Sequence, residues 1–387
     1  MTRPAPLSLP CGVAAPPVRS WRASRTSSRQ RSGGAALITV LLVVTLAAVL
    51  VAGLLWREQV QIRRVENQRQ SQQARWVSRG VVNWTRLILR SEGDSSPVTY
   101  LGGVWSVPIA ETRLSSFLGK FGEARAEQGA STWLSGAIED AQAKYNLRDL
   151  VTSGGVSGLS IDPVSLSEFR KLLTELGIDS QLASPVAQRM RQSLMSSATK
   201  GQRADTGDPV SDAMASAQNG APQAGGGYTD DPGLAGSNDD PDKQPLQMHD
   251  IDALLDIPGF TPEVLAQLAP FVTVLPVPTQ INLNTASPEV IAARVPLLSL
   301  SQAQVFVQNR NQVFVINLAD AQTRLERMAP KLSGLDPARF DITSKFFLIH
   351  GRVRHERAVI DRVATIYRDS HTHQTHVMQV RDVLPAE

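Results

Sequence analysis

The apolar positions of this chain follow three patterns. From Ala35 to Trp56 the run AALITVLLVVTLAAVLVAGLLW carries no charged residue, and as a helix it would span about 33 Å, enough to cross a bilayer. The next stretch, WREQVQIRRVENQRQSQQARWVSRGVVNWTRLILRSEG, has no proline and only Gly80 before Gly93. Val60, Arg64, Asn67 and Ser71 recur there at helical spacing, as do Trp76, Val77, Gly80, Val81, Trp84, Leu87 and Ile88. The pattern predicts one helix from about Ala35 to about Arg90, first inside lipid and then along a soluble domain. Residues 97–140 hold short apolar stretches broken by glycine, read as strands or loops leading into YNLRDLV at 145–151. Helices follow. IDPVSLSEFRKLLTELGI puts Phe169, Leu172, Leu173 and Leu176 on one face and ends at Gly177, with SPVAQRMRQSLM next.

Residues 199–247 break the pattern, being rich in Gly, Ala, Ser, Asp and Pro with almost no large apolar residue, a composition that buries no core. Order returns in two similar units, TPEVLAQLAPFV (261–272) and SPEVIAARVPLL (287–298). Each opens on a helix N-cap, Thr261 or Ser287, with Pro in the first turn and Glu263 or Glu289 near the positive helix end. The segment FDITSKFFLIHGRVRHERAVIDRVATIYRD is rich in β-branched and aromatic residues. It reads as two strands turning near His355–Glu356, with a third at THVMQVRDV.

Charge and cysteine content change this picture at one end only. The sequence pI is about 9.2, yet Arg3, Arg19, Arg22, Arg25, Arg29 and Arg31 stand in residues 1–34 without any Lys, Asp or Glu. Removing that leader takes the net charge from +3 to −3, so the basicity belongs to the leader. The single cysteine, Cys11, lies there too, which leaves no disulfide or thiolate metal site within the rest of the chain. The apolar run is longer than a secretory h-region, and arginines flank it on both sides, so the positive-inside count gives no orientation.

A basic leader ending at Gly34, an apolar N-terminal helix and its continuation into a soluble head resemble the type IV prepilins and type II secretion pseudopilins. The resemblance implies that a prepilin peptidase cuts between Gly34 and Ala35, with Gly33 offering the neighbouring alternative. The new amino terminus is then methylated, and the apolar segment is retained as anchor and filament core. Most pseudopilins carry Glu at the fifth mature position, where its carboxylate pairs with the amino terminus of the preceding subunit. Here that position is Thr39. A carboxylate left unpaired in lipid costs about 2.5–3.5 kcal/mol or more, so a subunit with no predecessor gains by omitting it. The K-type minor pseudopilins are the branch lacking this Glu.

Further residues carry the same resemblance. Asp140, Tyr145, Asn146, Leu147 and Leu150 match the family's D-x-q-x-x-f-N-L-N-x-L segment, INLNTASPEVIAA stands at 281–293, and Ser344, Phe346 and Phe347 match its S-x-Y-F strand. The family's acidic calcium pattern is only half present. Its first part is replaced by RMRQSLMSSATKG, without a carboxylate, while Tyr228, Asp230 and Asp231 match the second. Asp230, Asp231, Asp239 and Asp240 are the candidate Ca2+ ligands, set against a reading of this segment as solvated loop charge.

INLNTASPEVIAA is also similar to competence-type helix-hairpin-helix DNA-binding proteins, which supplies an alternative: a membrane-anchored DNA receptor. Such hairpins use a Gly-x-Gly turn to approach phosphate, whereas this turn, VPLLSLSQAQ, has no glycine. Arg294 is the only Arg or Lys in residues 246–306, so no nucleic-acid partner is expected. HTHQTH at 371–376 offers His371 and His373 on one strand face as the best candidate for metal chemistry. No nucleophile motif, Walker loop, paired-carboxylate motif or Cys-x-x-Cys pattern is present, so catalysis is not expected.

The fold class expected is α+β: a pseudopilin fold whose long N-terminal transmembrane helix packs on an antiparallel sheet, with a large inserted all-α domain of SAM-like or helix-hairpin-helix-like kind. The expected organisation is a leader at 1–34, a transmembrane segment at 35–56 and its periplasmic continuation at 57–92. A first β part follows at 93–145, then the insertion at 146–330 containing the 199–247 segment, then a C-terminal β part at 331–387. The resemblance implies an inner-membrane subunit with a cytoplasmic N terminus and a periplasmic head. Its implied role is to cap the pseudopilus and start its assembly, with the I- and J-type minor pseudopilins and the major pseudopilin as partners.

Overall fold

The computed structural model describes residues 33–119, 131–153, 158–201, 247–330, 332 and 334–383. By its internal contacts the chain forms two units, residues 1–65 and 66–387. Helix α1 runs Gly33–Ser95. Within the first unit its apolar side chains from Leu37 to Leu55 are exposed. This is the one helix among the described residues long and apolar enough to cross a membrane.

In the second unit α1 continues across a sheet. Ala74, Ser78, Val82, Thr85 and Leu89 form its buried stripe, while Trp76 and Leu87 are 68% and 65% exposed. Helical spacing alone does not say which of these residues face the sheet. The buried stripe is mostly small side chains, which let the helix lie close to the strands; Val82 and Leu89 reach Trp105, Phe347, Ile349, Ala364 and Ile366.

The sheet has five strands in the order β1-β2-β9-β10-β11. They are β1 (Ile109–Arg113), β2 (Thr132–Asp140), β9 (Phe346–His355), β10 (Ala358–Arg368) and β11 (Thr375–Val383), and every pairing is antiparallel. The β9–β10 hairpin turns at Glu356, which takes a positive φ of 51°. A short helix, α2 (Leu114–Gly119), follows β1.

Everything between β2 and β9 is one insertion. Its ends lie side by side, because Asp140 pairs with Phe347 across the two strands. Its helices among the described residues are α3 (Pro163–Glu175), α4 (Ala183–Gly201), α5 (Pro262–Leu268), α6 (Pro288–Arg294), α7 (Leu300–Gln312) and α8 (Leu318–Met328). Three two-stranded ladders accompany them: β3 (Tyr145–Asn146) with β6 (Val272–Thr273), β4 (Val151–Ser153) with β5 (Leu159–Ile161), and β7 (Ile281–Asn282) with β8 (Phe340–Asp341). The insertion is therefore helical with small β clasps rather than purely α.

Local sequence explains these starts and stops. Asp162 caps α3 by accepting from Val164 N and Ser165 N, and Gly177 takes φ 72° just beyond its end. Thr261 and Ser287 accept from the third helical N–H of α5 and α6, each with Pro in the first turn. Ser299 and Gln302 form a capping box on α7. Phe169, Leu172, Leu173, Val186, Met190, Ile291, Phe306 and Leu325 share one core that belongs to the insertion itself, with Tyr145 stacked on Phe169 at 5.5 Å.

Candidate functional site

The motif residues scattered along the chain meet where the insertion leaves and re-enters the sheet. Asp140 ends β2 and is buried. Its Oδ2 accepts from Ser344 Oγ at 2.5 Å, Thr285 Oγ1 at 2.6 Å and Asn282 Nδ2 at 3.1 Å, and its Oδ1 from Gln142 N at 2.8 Å. Burial raises its pKa, while the donors from Ser344, Thr285, Gln142 and Asn282 oppose that rise. Asn282 Nδ2 also reaches Thr99 O at 3.0 Å and Ser344 Oγ at 2.8 Å.

Arg368, at the end of β10, completes the joint from the other side. It donates to Leu89 O on α1 at 3.0 Å, to Thr99 Oγ1 at 2.9 Å and to Ser344 O at 3.0 Å. Its guanidinium also lies over Phe347, 4.8 Å from the ring centroid. One residue thus ties α1, the 97–99 segment and β9 together. Asn284 extends the joint into the insertion, exchanging two hydrogen bonds with the backbone of Val315. Asn146 holds Leu275 N and Val277 O.

A second buried centre lies within the insertion. Arg294 pairs with Asp149 at 2.7 Å and Glu168 at 3.4 Å, and Arg339 pairs with Glu168 at 2.6 Å. Burial pushes Glu168 up to about 7 against the pull of Arg294 and Arg339. Both centres are largely buried and nearly every group in them is hydrogen-bonded, so their chemistry is mechanical: the first fixes the insertion on the sheet, and the second holds the insertion's own elements together.

The other residues singled out by sequence are placed as follows. Gly34 and Ala35 lie in the first turns of α1, and Thr39 is exposed on it. Asp230, Asp231, Asp239 and Asp240 lie outside the described residues, as do residues 1–32 of the leader. Among the described residues no group of three or more His, Cys, Asp or Glu is arranged to hold a metal ion. His371 and His373 do not share a strand face. They sit in the β10–β11 loop, because Asp369 accepts from His371 N and Thr372 N and turns the chain there. His373, at φ 53°, turns instead to Asp94 on α1, with its Nδ1 2.9 Å from Oδ1. In the α6–α7 turn the left-handed position is filled by Leu297, at φ 62° and 70% exposed. A branched side chain therefore stands where a phosphate-binding hairpin has bare backbone.

Sequence reasoning missed Thr99 and Arg368 as parts of the joint. Asp140, Asn282, Thr285 and Ser344 all lie in the family motifs, and nothing local distinguishes the other two.

Comparison with known proteins gives a consistent picture. Two family models, both described as type II secretion system (T2SS), protein K, match residues 143–277 and 281–342, together just over half of the chain. The type II secretion system protein K of Pseudomonas aeruginosa is 32% identical over 168 residues, 42% of this chain and 45% of that protein. Proteins of the same description from Aeromonas hydrophila and Pectobacterium carotovorum subsp. carotovorum are 26% and 25% identical. Those matches cover 83% and 86% of this chain and 88% and 93% of the relatives. Among solved structures, a chain of the GspK-GspI-GspJ complex from the enterotoxigenic Escherichia coli Type 2 Secretion System is similar with a TM-score of 0.53. At 16% identity, covering 83% of this chain and 100% of that one, this is a likeness of fold.

Proposed function

Because the chain belongs to the type II secretion system protein K family and has the pseudopilin fold, we propose that it caps the tip of the pseudopilus and initiates its assembly. In this reading residues 35–56 anchor it in the inner membrane, the N terminus is cytoplasmic and the head periplasmic. The leader is removed by prepilin peptidase between Gly34 and Ala35. The I- and J-type minor pseudopilins are its tip partners, by analogy with the GspK-GspI-GspJ complex whose fold it shares, and the major pseudopilin lies below. Its task is structural, helping to drive folded proteins across the outer membrane.

The observation that carries the tip assignment is Thr39, within an anchor run free of carboxylates. A subunit stacked on a predecessor profits from an acidic group paired with that neighbour's amino terminus. A first subunit would hold the same group unpaired in lipid. The helical insertion fits the same place: it adds bulk to the head, which at a tip obstructs no subunit stacked below. Thr39→Glu tests this. Introduced in place of the wild type, it should leave secretion and pseudopilus length unchanged, and immunogold label should stay at filament ends. Label distributed along the shaft of the Thr39→Glu filaments would refute the assignment.

A further inference from the structure

Between the insertion and the β10–β11 hairpin lies a crevice of about 380 Å³, within the size range of small-ligand sites. Arg148 lines it and is only 6% exposed. Its Nη1 donates to Val151 O at 2.7 Å, but its Nε finds no acceptor among the described residues. The neighbouring carboxylate, Asp149, is already held by Arg294. A buried guanidinium with an open donor is costly until an acceptor reaches it.

The rest of the lining indicates what that acceptor is attached to. Met190 and Met248 are almost fully buried, and Met378 reaches the crevice from β11. Three unbranched thioethers adapt to apolar side chains of varied shape. Gln247 and Gln379 also line it, and their amides donate and accept in the way a peptide backbone requires. A plain alkyl carboxylate would leave those amides without a partner.

We propose that this crevice binds the C-terminal end of an extended apolar peptide from another polypeptide. The carboxylate rests on Arg148, the side chains lie among Met190, Met248 and Met378, and the backbone bonds to Gln247 and Gln379. The site is separate from the tip assignment and does not depend on it.

The test is titration calorimetry on the full-length chain in non-ionic detergent, with N-acetyl-Leu-Met-Val as free acid, its C-terminal amide, and hexanoate as probes. The free acid should bind saturably, the amide about tenfold or more weakly, and hexanoate should not displace the acid. Arg148→Lys, which keeps the charge but loses the planar fork, should weaken the acid about tenfold. Met378→Glu adds a carboxylate to the crevice and should abolish binding while the melting temperature stays in place. Equal affinity for acid and amide, displacement by hexanoate, or no saturable binding by the folded wild type at millimolar peptide would each overturn the proposal.

Discussion

Arg368 does more for the head than its position at the end of a strand would announce. Its three donor contacts run to Leu89 O, Thr99 Oγ1 and Ser344 O, and burial lowers its pKa even though Asp140 and Glu92 pull it up. A lysine keeps the charge but not the fork that serves three acceptors at once. Arg368→Lys should therefore destabilise the folded chain by about 2–4 kcal/mol, read as a lower denaturant midpoint with an unchanged slope. A loss under about 0.5 kcal/mol would mean that the joint tolerates its own dismantling. The six residues of this joint show why single positions were only partly legible. Asp140, Asn282, Thr285 and Ser344 stood out in sequence because family patterns contain them. Thr99 and Arg368 look like ordinary residues of a loop and a strand, and only folding brings them to hydrogen-bonding distance of each other and of Ser344.

At the scale of elements, what sequence revealed depended on how local the cause was. Caps, proline starts and β-branched runs act within four or five residues, and α3, α5, α6 and the hairpin β9–β10 were readable from them. The packed face of α1 was not. Its large residues Trp76 and Leu87 are exposed while Ala74, Ser78, Val82, Thr85 and Leu89 are buried, a mixed stripe that hydrophobicity alone does not single out. The cluster around Glu168 gives an element-level test, since it binds α3 to α6 and to the segment before β8. In the unfolded chain Glu168 titrates near 4.5, and in the fold near 7. Between those values the native state holds a proton that the unfolded state has released, so this group's contribution to stability falls as pH rises through that window, by about 3 kcal/mol in total. The wild type should therefore lose stability relative to Glu168→Gln as pH goes from 5 to 7.5. A difference between the two melting temperatures that stays constant over this range would show that Glu168 is ionised throughout.

For the whole molecule, the decisive question is what becomes of the first helix. The sequence allowed three fates for the junction at residues 29–50: removal as a signal peptide, retention of the whole segment, or a cut that spares the anchor. Helix α1 is continuous from Gly33 to Ser95, so a cut within the apolar run, near Ala47–Ala48 or Ala52–Gly53, would remove the anchor from a helix whose later turns are fastened to the sheet by Arg86 and Arg368. A cut after Gly34 removes the leader's positive charge and only the first two residues of that helix, with a free amino group at its new start. There a methyl group keeps the charge while trimming hydrogen-bonding capacity. Intact-mass and N-terminal fragment analysis of the protein extracted from its native membrane should find a chain beginning at a monomethylated Ala35. An unprocessed leader would remove the prepilin reading altogether. A start near Ala52 would turn the anchor into a signal peptide, and a head without an anchor could not serve at the tip of a membrane-rooted filament.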